Sequence, residues 1–220
     1  MSLIANDTPK TGSKYPTMEA LEPGSYPVRL VQVIDLGVQA QRPYQGKTKP
    51  DTREIHTTYE ILDEYMNDEH GAIDYTKPRW IGEKFGFFPL RVELSKGTKR
   101  YLTIDPKAAH KGDWSKLLGK PCMVTVAQNE GKGRHLGRTF NNIAGTSAMR
   151  PSEVEAAREA VSSLLYFNTE HPDMTVWESL PNWLQEKIKE GVNFNGSILH
   201  GMLGGAVVAA TDDDDGDNPF

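Results

Sequence analysis

Tyr26-Pro-Val-Arg-Leu-Val-Gln-Val-Ile-Asp-Leu36 and Arg53-Glu-Ile-His-Thr-Thr-Tyr-Glu-Ile-Leu-Asp-Glu-Tyr-Met66 decide the fold, together with the loop 37–52 that joins them. The first stretch is rich in β-branched residues, with Val28, Leu30, Gln32 and Ile34 on one face and Arg29, Val31, Val33 and Asp35 on the other. The second alternates as well, Ile55, Thr57, Tyr59 and Ile61 against Glu54, His56, Thr58 and Glu60. A period of two residues suits strands of an antiparallel sheet and not a helix. The joining loop carries Arg42, Lys47, Lys49 and, at its end, Arg53, against the single acid Asp51, with Tyr44 between Pro43 and Gln45. Cations neutralise phosphates and a flat ring accepts an unstacked base, so this hairpin has the composition that a single nucleic-acid strand requires.

Working outward, Glu22-Pro-Gly-Ser25 turns the chain into the first strand, and residues 1–20 lack periodicity and read as a flexible arm. After Met66 a turn leads to a third strand, Trp80 to Phe88, in which Gly82 and Gly86 signal a bend or a close approach. Residues 90–118 suit short helices broken at Pro106 and Gly112. A fourth strand, Cys122 to Gln128, and a fifth, Thr139 to Gly145, form a final hairpin around a loop bearing Lys132, Arg134 and Arg138. Three strands, a partly helical connection and a hairpin match the five-stranded Greek-key barrel called the OB-fold, over residues 21–150. Its binding face is built from strands two and three and from the two loops that here are basic. The expected fold is therefore mainly β, followed by a helical segment at 151–195 and a flexible linker and acidic tail at 196–220.

In the helical segment, Ser152 and Glu155 have capping-box spacing, and Val154, Ala157, Val161, Leu164 and Leu165 keep a helical period. A second helix is expected from Pro181, with Leu184 and Ile188 on one face and Trp183 nearby. These helices are expected to pack on the barrel or on a neighbouring subunit.

Charge is distributed unevenly. The net charge of the 220 residues is −5, yet residues 22–150 hold 20 Lys+Arg against 15 Asp+Glu, and residues 151–220 hold 3 against 13. A basic body with an acidic end follows. Five aspartates (Asp212, Asp213, Asp214, Asp215, Asp217) precede Pro219 and Phe220. Such a run has no apolar face to bury. A terminal ring after it offers a partner both an anchor and a charge address. On a flexible linker it can also lie in the basic groove until nucleic acid displaces it.

The single cysteine, Cys122, excludes an intrachain disulfide and a cysteine zinc site, and the six histidines lack ligand spacing. No cofactor or metal is expected. With neither a signal sequence nor a membrane-length apolar run, a cytoplasmic protein is expected.

Asp-Asp-Asp-Gly-Asp-Asn-Pro-Phe at 213–220 resembles the acidic tip of bacterial and phage single-stranded DNA-binding proteins. Residues 21–149 resemble the OB-fold body of the phage proteins, through Leu118-Gly-Lys-Pro-Cys-Met-Val-Thr-Val126 and the following Phe140-Asn-Asn-Ile143. The resemblance implies a protein that coats exposed strands in replication, recombination or repair and docks replication or recombination enzymes through its tail. In a phage protein this would be the host cytoplasm. The glycine between aspartates and the helical stretch 152–190 depart from the bacterial pattern.

The expected binding residues are Arg42, Tyr44, Lys47, Lys49, Arg53, Tyr59, Arg79, Trp80, Lys84, Phe85, Phe87, Lys132, Arg134, Arg138 and Phe140. Tyr59 shares its face with Ile55 and Ile61, and Trp80, Phe85, Phe87 and Phe88 cannot all be exposed, so some of these rings belong to the core. Three other readings stay open, one of them a scaffold protein that works through the helices of 152–190. Asp63, Glu64, Asp68, Glu69 and Asp74 could hold Mg2+ for a nuclease, although no nucleophile-and-base pair accompanies them and Gly131-Lys-Gly133 is too short for a phosphate loop. Single-stranded RNA would satisfy the same groups as DNA. Oligomeric state, including a homo-oligomer, is not legible.

Overall fold

The computed structural model describes residues 19–206. Its centre is a long antiparallel pair, β1 (Gly24–Gln39) and β2 (Thr52–Asn67), continued by β3 (Ile73–Gly86) on the far edge of β2. On the other side the first half of β1 pairs with β4 (Pro121–Glu130), which pairs with β5 (Thr139–Ser147). The order β3-β2-β1-β4-β5 curls into an antiparallel half-barrel. Each expected strand is found; four run longer than the alternation indicated, and β3 begins well before Trp80 but ends at Gly86, leaving Phe87 and Phe88 outside it.

Irregularities in β1 produce the curl. Leu30 faces Tyr59, but Gln32 faces Thr58, so Val31 is an extra residue in β1. Such a bulge bends a strand and resets its alternation. Val28, Leu30 and Val33 therefore enter the barrel core, whereas the sequence pattern placed Gln32 and Ile34 with Val28 and Leu30. Ile34 and Leu36 instead enter a second core. β2 has no bulge over this stretch, and Ile55, Tyr59 and Ile61, which share one face by alternation, all point into the barrel, so that Tyr59 is core and not a binding residue. Each such fully buried side chain contributes about 2 kcal/mol of hydrophobic stabilisation.

Helix α1 (Lys96–Ile104) packs against β3, β4 and β5. Ser95 caps it by accepting the Thr98 N–H. Gly97 is required by contact: a Cβ there would lie 3.0 Å from the Gly86 carbonyl and 3.1 Å from the Phe85 ring. The helix directs Tyr101 into the core beside Trp114, and Arg100 onto the buried carboxylate of Glu83, with Nε 2.7 Å from Oε1.

Past β5 the chain departs from the sequence reading. Helix α2 (Pro151–Ala156) ends where the helical period was expected to continue, and Val154, Val161 and Leu164 are exposed. The reason is electrostatic. Arg29 is buried and draws the carbonyls of Ala157 and Arg158 to its guanidinium, at 2.9 and 2.7 Å. Glu60, wholly buried, accepts from Arg158 and from the N–H groups of Val161 and Ser162. These charge-assisted bonds to the backbone and to one side chain outweigh a few helical hydrogen bonds, so residues 157–162 run as a strap across β1 and β2.

Next comes β6 (Leu165–Phe167), a short strand parallel to β1 at Gln32–Ile34. Then follow α3 (Met174–Ser179), α4 (Asn182–Lys189) and α5 (Ile198–Met202). Phe167, Trp177, Leu180, Leu184, Ile188 and Leu199 bury Ile34 and Leu36, which makes the second core. α4 starts one residue later than expected, with Pro181 as its N-cap instead of its first helical residue. α5 occupies part of the stretch read as flexible linker, because Ser197 caps it by accepting from His200 N–H and Leu199 is fully buried. No helix among the described residues is long and apolar enough to cross a membrane.

Candidate nucleic-acid interface

The loop between β1 and β2 ends in a tight hairpin of its own. Tyr44 and Lys47 exchange both backbone hydrogen bonds, at 2.9 and 3.0 Å. Gln45 and Gly46 between them have φ of +50° and +74°. Two successive left-handed residues make the turn that matches strand twist, and Gly46 supplies one of them without strain. The turn holds Tyr44 out at 61% exposure, and the Lys49 ammonium lies 4.7 Å from its ring centroid. Arg42 and Lys47 are exposed beside it. Ring and cations stand together at one end of the β1–β2 ladder.

Arg53, at the base of this loop, is committed elsewhere. Its guanidinium holds Asp35 through two hydrogen bonds and Glu170 through a third, at 2.7 Å. Burial opposes the Asp35 carboxylate, but hydrogen bonds from Arg53 and Thr169 outweigh that and keep its pKa below the ordinary value. Arg53 therefore tethers the loop residues after β6 to the hairpin. Its carbonyl accepts from Phe87 N–H at 2.7 Å, which places the exposed Phe87 ring beside the loop.

β3 carries the remaining candidates. Its inward face takes Ile81, Glu83 and Phe85, and its outward face takes Trp80, Gly82 and Lys84. Phe85 is in the barrel core against Trp114, and Tyr59 is fully buried in the same core, so neither ring offers a face to a base. Burial pushes the Tyr59 phenol well above its usual pKa. Period-two alternation explains both placements, since these residues share the inward face with Ile55, Ile61 and Ile81. Trp80 is 49% exposed, with its Nε1–H donated to Ser162 Oγ at 2.9 Å. Lys84 is exposed and paired with Glu54 at 2.9 Å. Arg79 is mostly buried, and donates to the Glu19 carbonyl at 2.6 Å, so it anchors the chain entering β1.

Beside them His56 stands opposite Lys84 and is half-buried. Burial is the main reason that its pKa falls from 6.5 to about 4. The imidazole is neutral at physiological pH and serves as packing.

The second basic loop joins β4 to β5. Lys132 and Arg138 are exposed there, and Phe140, also exposed, meets His135 edge-on at 5.6 Å. Only the backbone of Arg134 is described. The two basic loops stand at different places on the sheet. The first caps the Gln39/Thr52 end of β1, while β4 runs toward the second loop past the Gly24 end of β1. Tyr44, Phe87, Lys84 and Trp80 form one series, from the first loop along β3, and the β4–β5 loop lies outside it.

The acids considered as metal ligands have local partners. Asp68 accepts the N–H groups of His70 and Ala72 and closes the turn before β3. Asp74 is paired with Lys77 at 2.8 Å and accepts from Thr76, which hold its pKa at about 2. Asp63, Glu64, Asp68 and Glu69 line a cleft of about 970 Å³ with Lys77 and Arg79. Among the described residues no three His, Cys, Asp or Glu side chains are grouped to hold a metal ion. The tail residues Asp212, Asp213, Asp214, Asp215, Asp217, Pro219 and Phe220 lie outside the described residues.

The sequence pattern assigned no functional part to Trp183, which is exposed on α4, or to the buried charges Arg29 and Glu60 that hold the strap. A charged residue within the largely apolar run of β1 was the available signal for Arg29, whereas Glu60 stood on an alternating polar face and gave none. The chain matches no protein-family model and no curated protein.

Proposed function

We propose that the protein binds single-stranded DNA along the outward face of β2 and β3, largely without sequence preference, and coats exposed strands during replication, recombination or repair. The half-barrel is read as an OB-type barrel: β1 pairs with both β2 and β4, and a helix sits between β3 and β4. The observation that carries the proposal is the series of exposed rings and cations from Arg42, Tyr44, Lys47 and Lys49 to Phe87, Lys84 and Trp80. Rings stack on bases of any identity, and cations neutralise phosphates and release counterions. Lys132, Arg138 and Phe140 form a second patch that a longer strand would reach. The acidic tail imitates a short run of phosphates, competes for the same cations, and recruits replication or recombination enzymes through Pro219 and Phe220.

Fluorescence anisotropy with a labelled oligo-dT and a matched duplex, each titrated at several salt concentrations, tests the proposal. The expected result is preference for the single strand and an affinity that falls linearly on logarithmic axes as salt rises. Equal affinity for both substrates, or binding indifferent to salt, would refute it.

A further inference from the structure

The four tryptophans of the chain divide into two pairs. Trp114 and Trp177 are 6% and 4% exposed and belong to the two cores, whereas Trp80 and Trp183 are 49% and 54% exposed. Trp183 comes from the first turn of α4, whose buried face is Leu184 and Ile188, so nothing in the packing of that helix needs an indole at 183. Its ring meets His56 edge-on, with centroids 5.2 Å apart and planes at 77°. The His56 ring in turn lies against Gly82, where an added Cβ would approach it to 2.9 Å. Side chains two residues apart on a strand share a face, so Trp80, Gly82 and Lys84 point the same way. Trp183, His56, Gly82 and Trp80 are thus successive neighbours across one patch of sheet.

Single exposed aromatics are ordinary on protein surfaces. This pair differs because each ring is held at one edge, Trp80 by Ser162 Oγ and Trp183 by His56, whose own ring lies against Gly82 between them. Rings fixed in this way have little conformational freedom left to lose when a ligand stacks on them. Lys84 stands on the same patch, its ammonium half exposed and paired with the buried Glu54, and Lys187 lies one turn beyond Trp183, paired with the exposed Glu190, which a phosphate could replace at small cost.

We propose that Trp183 and Trp80 form a two-ring stacking platform for neighbouring bases of one strand, so that the C-terminal segment is part of the nucleic-acid site as well as a brace for β1. The platform rests on the single-strand reading above and names a part of its site that the barrel alone would lack.

Tryptophan quenching by unlabelled oligo-dT tests it, because Trp114 and Trp177 are shielded and the signal reports the exposed pair. In Trp80→Phe the remaining quenching must come from Trp183 and is expected to persist. Trp183→Ala is expected to weaken binding roughly tenfold, the size of one base–aromatic stack, and Trp183→Phe to recover most of the loss. Thermal melting of each variant establishes that it is folded. If the wild-type protein binds oligo-dT while Trp80→Phe shows no quenching and Trp183→Ala binds as wild type does, the platform is wrong and the strand-binding reading survives. If the wild-type protein binds no single strand, that reading fails and the platform falls with it.

Discussion

Arg53 and Asp35 meet side by side at the loop end of the β1–β2 ladder, with Nε 3.0 Å from Oδ1 and Nη2 2.7 Å from Oδ2. The carboxylate is almost fully buried and the guanidinium is about a quarter exposed. A planar fork matched to a carboxylate in this way is stronger and more specific than a point charge would be. The pair fixes the base of the basic loop to the strand on which the second core is built.

Arg53→Ala should therefore act on stability more than on binding. Asp35 would keep its hydrogen bonds from Thr169 and from Gly37 N–H but lose the charge that offsets its burial. The expected loss is about 2–3 kcal/mol, as for a hydrogen-bonded charge left without its partner. Chemical denaturation of the variant measures it. A midpoint unchanged from wild type, together with weaker oligo-dT binding, would return Arg53 to the set of residues that hold phosphates.

Stability should also depend on pH through His56. Burial lowers its pKa from 6.5 to about 4, so between these values the unfolded chain takes up a proton that the folded protein refuses. Stability is then complete above about pH 6.5 and declines as pH falls toward 4, by about 3 kcal/mol in all. The lowered carboxylate pKa values of Asp35 and Glu60 remove further stability only at lower pH, as those groups protonate. Melting temperatures of wild type and His56→Gln across pH 4–7 separate the two, since the variant should lose the slope above about pH 4.5. Identical slopes would show that another group titrates.

How far the chain could be read from its sequence follows from the range of the interactions concerned. Strand alternation is local, so the shared face of Ile55, Tyr59 and Ile61 in β2 was legible, and with it the mainly β half-barrel, but Tyr59 and Phe85 were counted among the binding rings and lie in the core. The bulge at Val31 was not, because an extra residue in a strand is defined by its partner strand. The helix expected through Leu165 failed for a related reason. Its period is genuine, but Glu60 and Arg29 take up the backbone of residues 157–162 from about 100 positions or more away. In the candidate site, Tyr44 and the flanking lysines were legible because a short exposed loop displays its composition. Arg53 and Arg79 were read as free cations, since sequence shows a charge and not its partner. Trp183 was assigned no functional part because its neighbour His56 lies in another segment.

At the hairpin tip, ring and charge can be separated experimentally. Tyr44→Ala removes a stack worth about 1–3 kcal/mol and should leave the dependence on salt unchanged. Lys47→Ala or Lys49→Ala should instead lower the salt slope by about 0.7 for each phosphate that is no longer neutralised. The Tyr44 ring rests beside Lys49, so the lysine variants also show whether the ring keeps its place without the cation. Anisotropy with oligo-dT at four or five salt concentrations gives both quantities. A Tyr44→Ala protein that binds as wild type does would take the ring out of the site.

Removing Asp212–Phe220 takes five carboxylates from a chain whose net charge is −5, and the body that remains is basic over residues 22–150. If those carboxylates occupy the cations that strands need, the truncated protein should bind oligo-dT several-fold more tightly at low salt. The advantage should shrink as salt rises, because screening weakens the attraction between tail and body as well as that between DNA and body. Free Asp-rich peptide of the tail sequence, added to the truncated protein, should restore the weaker binding. Equal affinities of the full-length and truncated proteins at low salt would mean that the tail does not compete for the groove, and would leave it only the part of recruiting partners.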